Sequence, residues 1–317
     1  MEYIQFPVLG WEFSVSPVLV EFTLFGIPFS IRWYGALIAL GFLLAVLYAV
    51  KTAKKRFEID LDPMTDVVLV STLLAILGAR LYYIIFYNGI ATLWQQPLKV
   101  LRIWDGGLAI YGGVLAAFLT GIWMCKIKKV NMWAMFDLAS IGFLIGQSLG
   151  RWGNFFNQEA FGGNTTLPWG MTGSIIASGV NGSGYDPALP VHPTFLYESL
   201  WCFFGFLLLH ILSKKQYTFK GKLFCTYIIW YGAGRFMIEG LRTDSLMLGI
   251  FRVSQLLALL CVVGGVALYY VLRMRAKKAP VVCETPAITA EEMEEMNREI
   301  ERAIGLSEEE TQDGENH

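Results

Sequence analysis

The chain has 317 residues, of which 55% are hydrophobic, 15% aromatic and only 16% charged, and its formal net charge is −1. In soluble domains roughly a quarter of all residues are charged, so this composition argues against a soluble protein and indicates an integral membrane protein. The balanced charge gives no support for a nucleic-acid partner, and five cysteines without a Cys-x-x-Cys spacing predict neither a disulfide framework nor a zinc site.

Met1–Ser30 is predicted to be an outer, partly interfacial segment. It lacks the basic start of a cleavable signal peptide and carries Pro7, Pro17 and Pro28. Apolar stretches then recur, most of them near the roughly 20 residues that cross a bilayer core. They predict seven transmembrane helices: Ile31–Val50, Met64–Phe86, Gly107–Cys125, Trp133–Gly150, Thr194–Leu212, Leu223–Leu241 and Phe251–Leu272. A large soluble helical protein is the alternative, but its buried helices rarely repeat at this length and apolarity.

Basic residues set the predicted orientation, because positively charged loops stay in the cytoplasm. Clusters follow the first, third, fifth and seventh spans: Lys51, Lys54, Lys55 and Arg56; Lys126, Lys128 and Lys129; Lys214, Lys215, Lys220 and Lys222; Arg273, Arg275, Lys277 and Lys278. The alternate connections are poorer in basic residues. The sequence therefore predicts an all-α polytopic membrane protein of seven transmembrane helices, with the N-terminus outside and the C-terminus cytoplasmic.

Two outer connections are long enough to be more than turns. Asn88–Gly106 has the composition of an interfacial arm, and Arg151–Pro193, rich in Gly, Asn and Pro, is predicted to form a small outer cap. The composition changes near the C-terminus, which divides the chain into a membrane domain, 1–275, and an acidic cytoplasmic tail, 276–317. Thr289–Glu292 matches a capping box, so we expect one short helix in an otherwise solvated tail; a docking element is the alternative.

The stretch Gly150–Gly162, with the sequence GRWGNFFNQEAFG, places a polar cluster at the end of the fourth span. It contains Arg151, Asn154, Asn157 and Glu159. Polar groups beside a bilayer need partners, so the cluster predicts a site for a charged ligand. An arginine at a helix end is often only an interfacial anchor, but an outer arginine runs against the charge bias of this chain.

A second polar group lies inside the sixth span. Tyr231, Arg235 and Glu239 are spaced by four and share one helix face, with Arg242 close to it. An arginine inside a membrane costs about 2.5–3.5 kcal/mol on the insertion scale, which Glu239 can partly offset. A structural Arg–Glu pair is one interpretation. The other is an anion site, because a guanidinium offers a planar fork to phosphate oxygens, and Arg151 and Arg235 on different helices would bracket one phosphate.

The remaining intramembrane charges, Asp66, Arg80 and Asp137, are interpreted as structural, with Arg80 expected to pair with Asp137 or Asp66 between helices. His192 precedes the fifth span and titrates near neutral pH, although a lone loop histidine is more often not catalytic. The sequence has no metal-ligand spacing, P-loop or Gly-x-Ser-x-Gly elbow, so no cofactor is expected.

At Gly150–Gly162 the sequence resembles the signature of the bacterial prolipoprotein diacylglyceryl transferase family, G-R-x-G-N-F-x-N-x-E-x-x-G, at every fixed position. Further segments resemble family motifs in the expected order: Ile31–Gly35, Trp104–Gly107 with Tyr111–Gly113, His192–Thr194 with Leu196–Glu198, and Tyr231–Phe236 with Glu239 and Arg242. The resemblance covers roughly residues 1–275 and implies the same seven-span topology in the bacterial plasma membrane.

The resemblance implies transfer of a diacylglyceryl group from phosphatidylglycerol to the thiol of the lipobox cysteine of a prolipoprotein signal region. A thioether forms and glycerol phosphate leaves. Its expected partners are therefore phosphatidylglycerol, prolipoprotein signal peptides and membrane lipids.

The resemblance also implies roles for individual residues: the candidate catalytic residues are Arg151, Arg235, Tyr111 and Tyr34, with Arg151 and Arg235 binding the headgroup. Asn154 and Gly162 are implied to be essential, while Tyr34, Tyr231, Glu159, Glu239 and Arg242 line or support the site; Asn157 and His192 are further candidates for substrate binding. Tyr111 stands where many family members have a histidine assigned as the base. Because a tyrosine with an ordinary pKa near 10 is a poor base, we hypothesise that Tyr111 hydrogen-bonds substrate while the arginines lower the thiol pKa.

The residues alone leave two other classes of membrane protein open. A lipid or anion transporter would also need intramembrane arginines, together with repeat symmetry and a polar path to the cytoplasm. A structural membrane scaffold would explain the apolar spans but not the Gly150–Gly162 cluster.

Overall fold

The computed structural model of the protein describes residues 2–24, 27–102, 107–180, 184–215, 217–243, 247–248 and 251–278. Its helices are α1 (Trp33–Phe57), α2 (Leu61–Tyr83), α3 (Ala91–Gln95), α4 (Ile110–Ile127), α5 (Met132–Gly150), α6 (Trp152–Asn157), α7 (Ser174–Ala177), α8 (Thr194–Lys215), α9 (Lys222–Glu239) and α10 (Val253–Lys278). A π-helical turn, Ile84–Asn88, continues α2, and a 3-10 turn spans Pro97–Val100. Trp104–Gly106 of the third-helix motif and the capping box of the acidic tail lie outside the described residues.

The prediction of a mostly helical, polytopic membrane protein is confirmed. In the described ranges, six helical segments are long and apolar enough to cross a bilayer: Trp33–Phe57, Leu61–Asn88, Ile110–Ile127, Met132–Asn157, Thr194–Lys215 and Val253–Lys278. Helix α9 covers the predicted sixth span but is not among them. Its 18 residues include Lys222, Arg235 and Glu239, and these charges lower its apolarity.

The N-terminal segment contains strands that the all-α prediction did not anticipate. Strands β1 (Glu2–Phe6) and β2 (Trp11–Val15) form an antiparallel hairpin, and β3 (Val18–Leu24) pairs with β4 (Ile27–Arg32). Strand β1 also pairs with β5 (Thr172–Gly173), so its sheet has the order β2-β1-β5. Two short strands, β6 (Met247–Leu248) and β7 (Phe251–Arg252), pair before α10.

Helix α5 is the centre of the helical packing and contacts α1, α8 and α9. Its first turn is capped by the side chain of Asn131, which accepts a hydrogen bond from the backbone nitrogen of Ala134 at 3.1 Å. Ile141 and Leu144 in its middle are fully buried. Because α5 touches three neighbours, its C-terminal end brings Arg151 next to both α8 and α9.

The expected pairing of Arg80 with Asp66 or Asp137 is wrong. Asp66 instead forms an ion pair with Lys128 at 2.5 Å, and Asp137 accepts hydrogen bonds from the Tyr217 hydroxyl and from the backbone nitrogens of Gly221 and Phe224 at the start of α9. Arg80 lies about 20 Å further along α2 than Asp66, at about 1.5 Å per residue, so one side chain cannot reach the other. Arg80 donates to the carbonyl oxygens of Lys99 and Gly107, both at 3.3 Å.

Arg151–Pro193 folds around its own small apolar core, which includes Phe161, Met171, Ile176 and Val191, together with Ile4 of β1. The fully buried side chain of Gln158 fixes this region, because its Oε1 accepts from the backbone nitrogen of Ile175 at 2.9 Å.

Candidate functional site

The polar residues of Gly150–Gly162 are presented by the sharp junction between α5 and α6. Arg151 lies between the two helices, and its backbone nitrogen still donates to the Gln147 carbonyl oxygen at 3.2 Å. Its side chain is therefore held on a rigid helix end, facing α8 and α9.

Glu198, one turn into α8, holds the two arginines together. Its Oε1 lies 2.6 Å from Nη2 of Arg151, and its Oε2 lies 3.0 Å from Nη1 of Arg235. The Tyr231 hydroxyl donates to Oε1 at 3.2 Å. The Glu198 side chain is only 4% exposed, whereas those of Arg151 and Arg235 are 24% and 19% exposed. Two cations from different helices thus converge on a single buried anion.

Glu239 adds a second carboxylate on the far side of Arg235. Its Oε2 lies 2.6 Å from Nη2 of Arg235. The angle of this ion pair is not that of a hydrogen bond, so within the described part of the chain this buried oxygen accepts none. The backbone oxygen of Glu239 accepts a hydrogen bond from Nη1 of Arg252. Arg235 is therefore neutralised from two directions by carboxylates.

The asparagines of the signature form a network with Glu159. The side-chain nitrogens of Asn154 and Asn157 each donate to Oε1 of Glu159 at 3.0 Å, and Oδ1 of Asn154 lies 3.4 Å from Nη1 of Arg151. Asn154 is buried, with 7% exposure. Through Asn154 this network joins the cluster around Glu198.

Gly162, His192 and Arg242 come together at the edge of the cluster through their backbones. The Gly162 nitrogen donates to the His192 oxygen at 2.9 Å, and Gly162 forms a β-bridge with Arg242. A Cβ on Gly162 would lie 2.8 Å from Cβ of His192, so only glycine fits this close approach. Burial lowers the pKa of the His192 imidazole, and its Nδ1 lies 3.1 Å from the Tyr197 hydroxyl.

Tyr34 packs against the signature segment. Its ring lies where a Cβ on Gly153 would be, so glycine at 153 allows the ring to approach α6. The neighbouring Trp33 stacks on Phe156 at 4.6 Å between ring centroids. These contacts link the start of α1 to the turn that carries Arg151.

Tyr111 is not joined to the arginine cluster by any contact within the described ranges. It lies in the first turn of α4, is 57% exposed, and its hydroxyl has no hydrogen-bond partner there. Helix α4 packs mainly on α2.

Glu198 was not singled out as a site residue from the sequence, although it belongs to the motif at the start of the fifth span. The signal was present, because Glu198 is an acidic residue inside an otherwise apolar span, and such residues are by default functional candidates with a partner. The same reasoning that selected Arg235 selects Glu198.

The fold and the cluster together define a class of protein. It is a polytopic membrane protein in which Arg151, Glu198, Arg235 and Glu239 form a partly buried cluster of ion pairs between α5, α8 and α9. Residues 21–271 match the family model described as prolipoprotein diacylglyceryl transferase. The chain belongs to this family.

Curated relatives named phosphatidylglycerol–prolipoprotein diacylglyceryl transferase agree with this assignment. The protein from Limosilactobacillus reuteri is 42% identical over 265 residues, which cover 83% of this chain and 94% of the relative. The Bacillus cereus (strain G9842) protein is 43% identical over 246 residues, covering 78% and 89%, and that of Bacillus cytotoxicus is 40% identical over 256 residues, covering 80% and 91%.

Proposed function

We propose that this protein transfers the diacylglyceryl group of phosphatidylglycerol to the lipobox cysteine of prolipoproteins in the bacterial plasma membrane. Support comes from the family membership, from the names of the curated relatives and from the six long apolar helices. The observation that carries the proposal in the structure is the convergence of Arg151 and Arg235 on one carboxylate. The transporter alternative has no comparable support.

The proposed topology has seven crossings, with α9 as the sixth, the N-terminus outside and the C-terminus in the cytoplasm. A charged helix is stable inside a membrane where its charges face protein partners. Arg235 and Glu239 meet this condition, because Arg235 contacts Glu198 and Glu239. The basic clusters at the inner ends of α1, α4, α8 and α10 support the orientation.

In the proposed reaction, the cysteine sulfur attacks the glycerol carbon that carries the phosphate oxygen. The carbon–oxygen bond breaks, a carbon–sulfur bond forms, and glycerol phosphate leaves with the electron pair while the thiol proton passes to a base. The leaving phosphate gains a negative charge. Positioned guanidinium groups that bind this developing charge lower the barrier.

Arg151 and Arg235 are proposed as the residues that bind the headgroup phosphate. Both keep part of their side chains accessible, whereas Glu198 is almost fully buried. We assign Glu198 as the positioning residue that holds the two guanidinium groups side by side. The phosphate would then approach the accessible edges of the two guanidinium groups. Asn154, together with Glu159, would hold the Arg151 side chain in place.

Tyr34, Tyr231, Asn157, Gly162, Glu239, Arg242 and His192 are proposed to line or support this site, in line with their contacts around it. Tyr111 is proposed to hydrogen-bond substrate, since the residue is 57% exposed and its hydroxyl has no partner in the described ranges. The group that takes the thiol proton is not assigned. A nearby cation lowers a thiol pKa, but the charges of the two arginines are balanced by Glu198 and Glu239 in this structure, so they carry no net positive field to the thiol.

The proposal is tested with purified protein, phosphatidylglycerol and a lipobox peptide. We expect a lipid-modified cysteine and an equal amount of released glycerol phosphate. Replacing the cysteine of the peptide by serine is the matched control and should give neither product. Folded protein that forms no thioether would reject the proposal.

A further inference from the structure

A second polar cluster lies at the other end of α1 and α8 from Tyr34 and Glu198. It contains Tyr48, Arg56, His210 and Ser213. Nη1 of Arg56 donates to the Tyr48 hydroxyl at 3.1 Å and to Oγ of Ser213 at 3.0 Å. The Tyr48 hydroxyl lies 3.0 Å from Nδ1 of His210. The guanidinium is therefore fixed by neutral groups of two helices.

Towards the described residues, this guanidinium uses one of its three nitrogens. All of its hydrogen bonds to described residues come from Nη1, so Nε and Nη2 are left as a pair of donors. Such a pair matches two oxygens of a phosphate. Because its neighbours hold the side chain in place, little further entropy is lost when an anion binds.

The charge around Arg56 is not balanced as it is elsewhere at this end of the protein. Lys54, Lys128 and Lys220 pair with Asp60, Asp66 and Glu58. Arg56 forms no ion pair with a carboxylate in the described ranges, and Lys214, four residues after His210 on α8, adds a second positive charge on the same helix face. A bound anion would balance the positive charges of Arg56 and Lys214.

The surroundings indicate a lipid rather than a soluble phosphate. Arg56 lies about 35 Å along α1 from its start, at about 1.5 Å per residue, which is the headgroup level of a bilayer core of about 30 Å. Leu47, Val50 and Ile211, on the same two helices, are exposed apolar side chains, which suit contact with acyl chains. The two helices thus offer apolar surface as well as the polar cluster.

We propose that Arg56 and Lys214, with Tyr48, His210 and Ser213, form a binding site for the phosphate of an anionic phospholipid in the cytoplasmic leaflet. The site is separate from the proposed transferase site and rests on the topology proposed with that function. By tying α1 to α8 at their inner ends, a bound lipid would also steady the two helices that carry Tyr34 and Glu198.

The test counts phosphatidylglycerol molecules retained by the full-length protein in native mass spectrometry. We expect Arg56→Gln to weaken retention of one lipid about tenfold, which corresponds to about 1.4 kcal/mol. Lys214→Gln, which keeps the Tyr48–Arg56–Ser213 network, should weaken the same lipid. Lys54→Gln is the matched control, because it removes a charge near Arg56 that is already paired with Asp60.

The double variant Arg56→Gln, Arg235→Gln tests this proposal separately from the proposed function. We expect the losses from Arg56→Gln and Arg235→Gln to add, since they concern two lipids. If Arg235→Gln loses a lipid and Arg56→Gln does not, the transferase site stands and this inference is overturned. An equal loss in Lys54→Gln, displacement by free glycerol phosphate, or cross-linking of the acidic tail to Arg56 would also overturn it.

Discussion

The substitution Glu198→Gln probes the centre of the site, because it keeps the shape of the side chain and removes its charge. In the variant, Arg151 and Arg235 would face a neutral amide across distances that are now 2.6 and 3.0 Å. Breaking a buried ion pair from one side costs about 3–5 kcal/mol. Both arginines keep some exposure to solvent, so we expect the free energy of unfolding to fall by about 3 kcal/mol, the lower end of that range.

This loss is measured as thermal unfolding in detergent at one scan rate, where about 3 kcal/mol corresponds to about 5 °C for a chain of this length. Glu58→Gln is the matched control, since the Glu58 carboxylate also forms an ion pair, with Lys220, but its side chain is 76% exposed. That change should cost no more than about 1 kcal/mol. Inorganic phosphate should restore stability in Glu198→Gln more than in the unaltered protein, because it replaces the missing anion.

Transferase turnover of Glu198→Gln should fall together with stability, since the two guanidinium groups lose their common partner. A variant that unfolds at the same temperature as the unaltered protein and keeps full turnover would refute the role of Glu198 as the positioning residue. An equal effect in Glu58→Gln would refute the argument from burial.

Three further predictions concern the surroundings of the cluster. Gly153→Ala should lower turnover at least tenfold, or about 1.4 kcal/mol, because the added methyl group displaces the Tyr34 ring. Gly163→Ala is the control and should not lower turnover, because a methyl group at Gly163 meets open space. Equal kinetics of the two variants would contradict this prediction. Tyr111→Phe should lower kcat/KM about fivefold without changing stability, because Tyr111 is an exposed residue whose hydroxyl has no partner in the described ranges. Full activity of this variant would exclude a role for the hydroxyl. Burial lowers the pKa of His192, so the folded protein favours the neutral imidazole, and the stability that His192 contributes is lost as pH falls below about 6.5. Relative to the His192→Gln variant, the protein should therefore lose stability only below that pH. A stability difference that arises above pH 7 would contradict the assignment.

The helices were predictable because length and apolarity alone identify a membrane span. Every predicted span coincides with a long helix, including α9. Its charges reduce its apolarity, yet the spacing of Tyr231, Arg235 and Glu239 identified it as a helix with one polar face. The strands of the first thirty-two residues were missed, because short hairpins with proline at their ends give a weak local pattern.

The site was predictable in its residue types and only partly in its pairings. Regular spacing placed Arg235 and Glu239 on one helix face, and the structure pairs them. Glu198 could be paired only by knowing that α8 lies next to both α5 and α9. Arg80 was paired wrongly for the same reason, since the position of a charge along its helix decides which partner it can reach.

The central claim is that Arg151 and Arg235 bind the phosphate whose ester bond breaks in diacylglyceryl transfer. It is tested most directly by measuring released glycerol phosphate and thioether-linked peptide with phosphatidylglycerol, a lipobox peptide and folded Arg235→Gln. We predict that the variant loses both products together, by at least a hundredfold, as expected when a charged group that stabilises the transition state is removed. Full formation of both products by the folded variant would contradict the account.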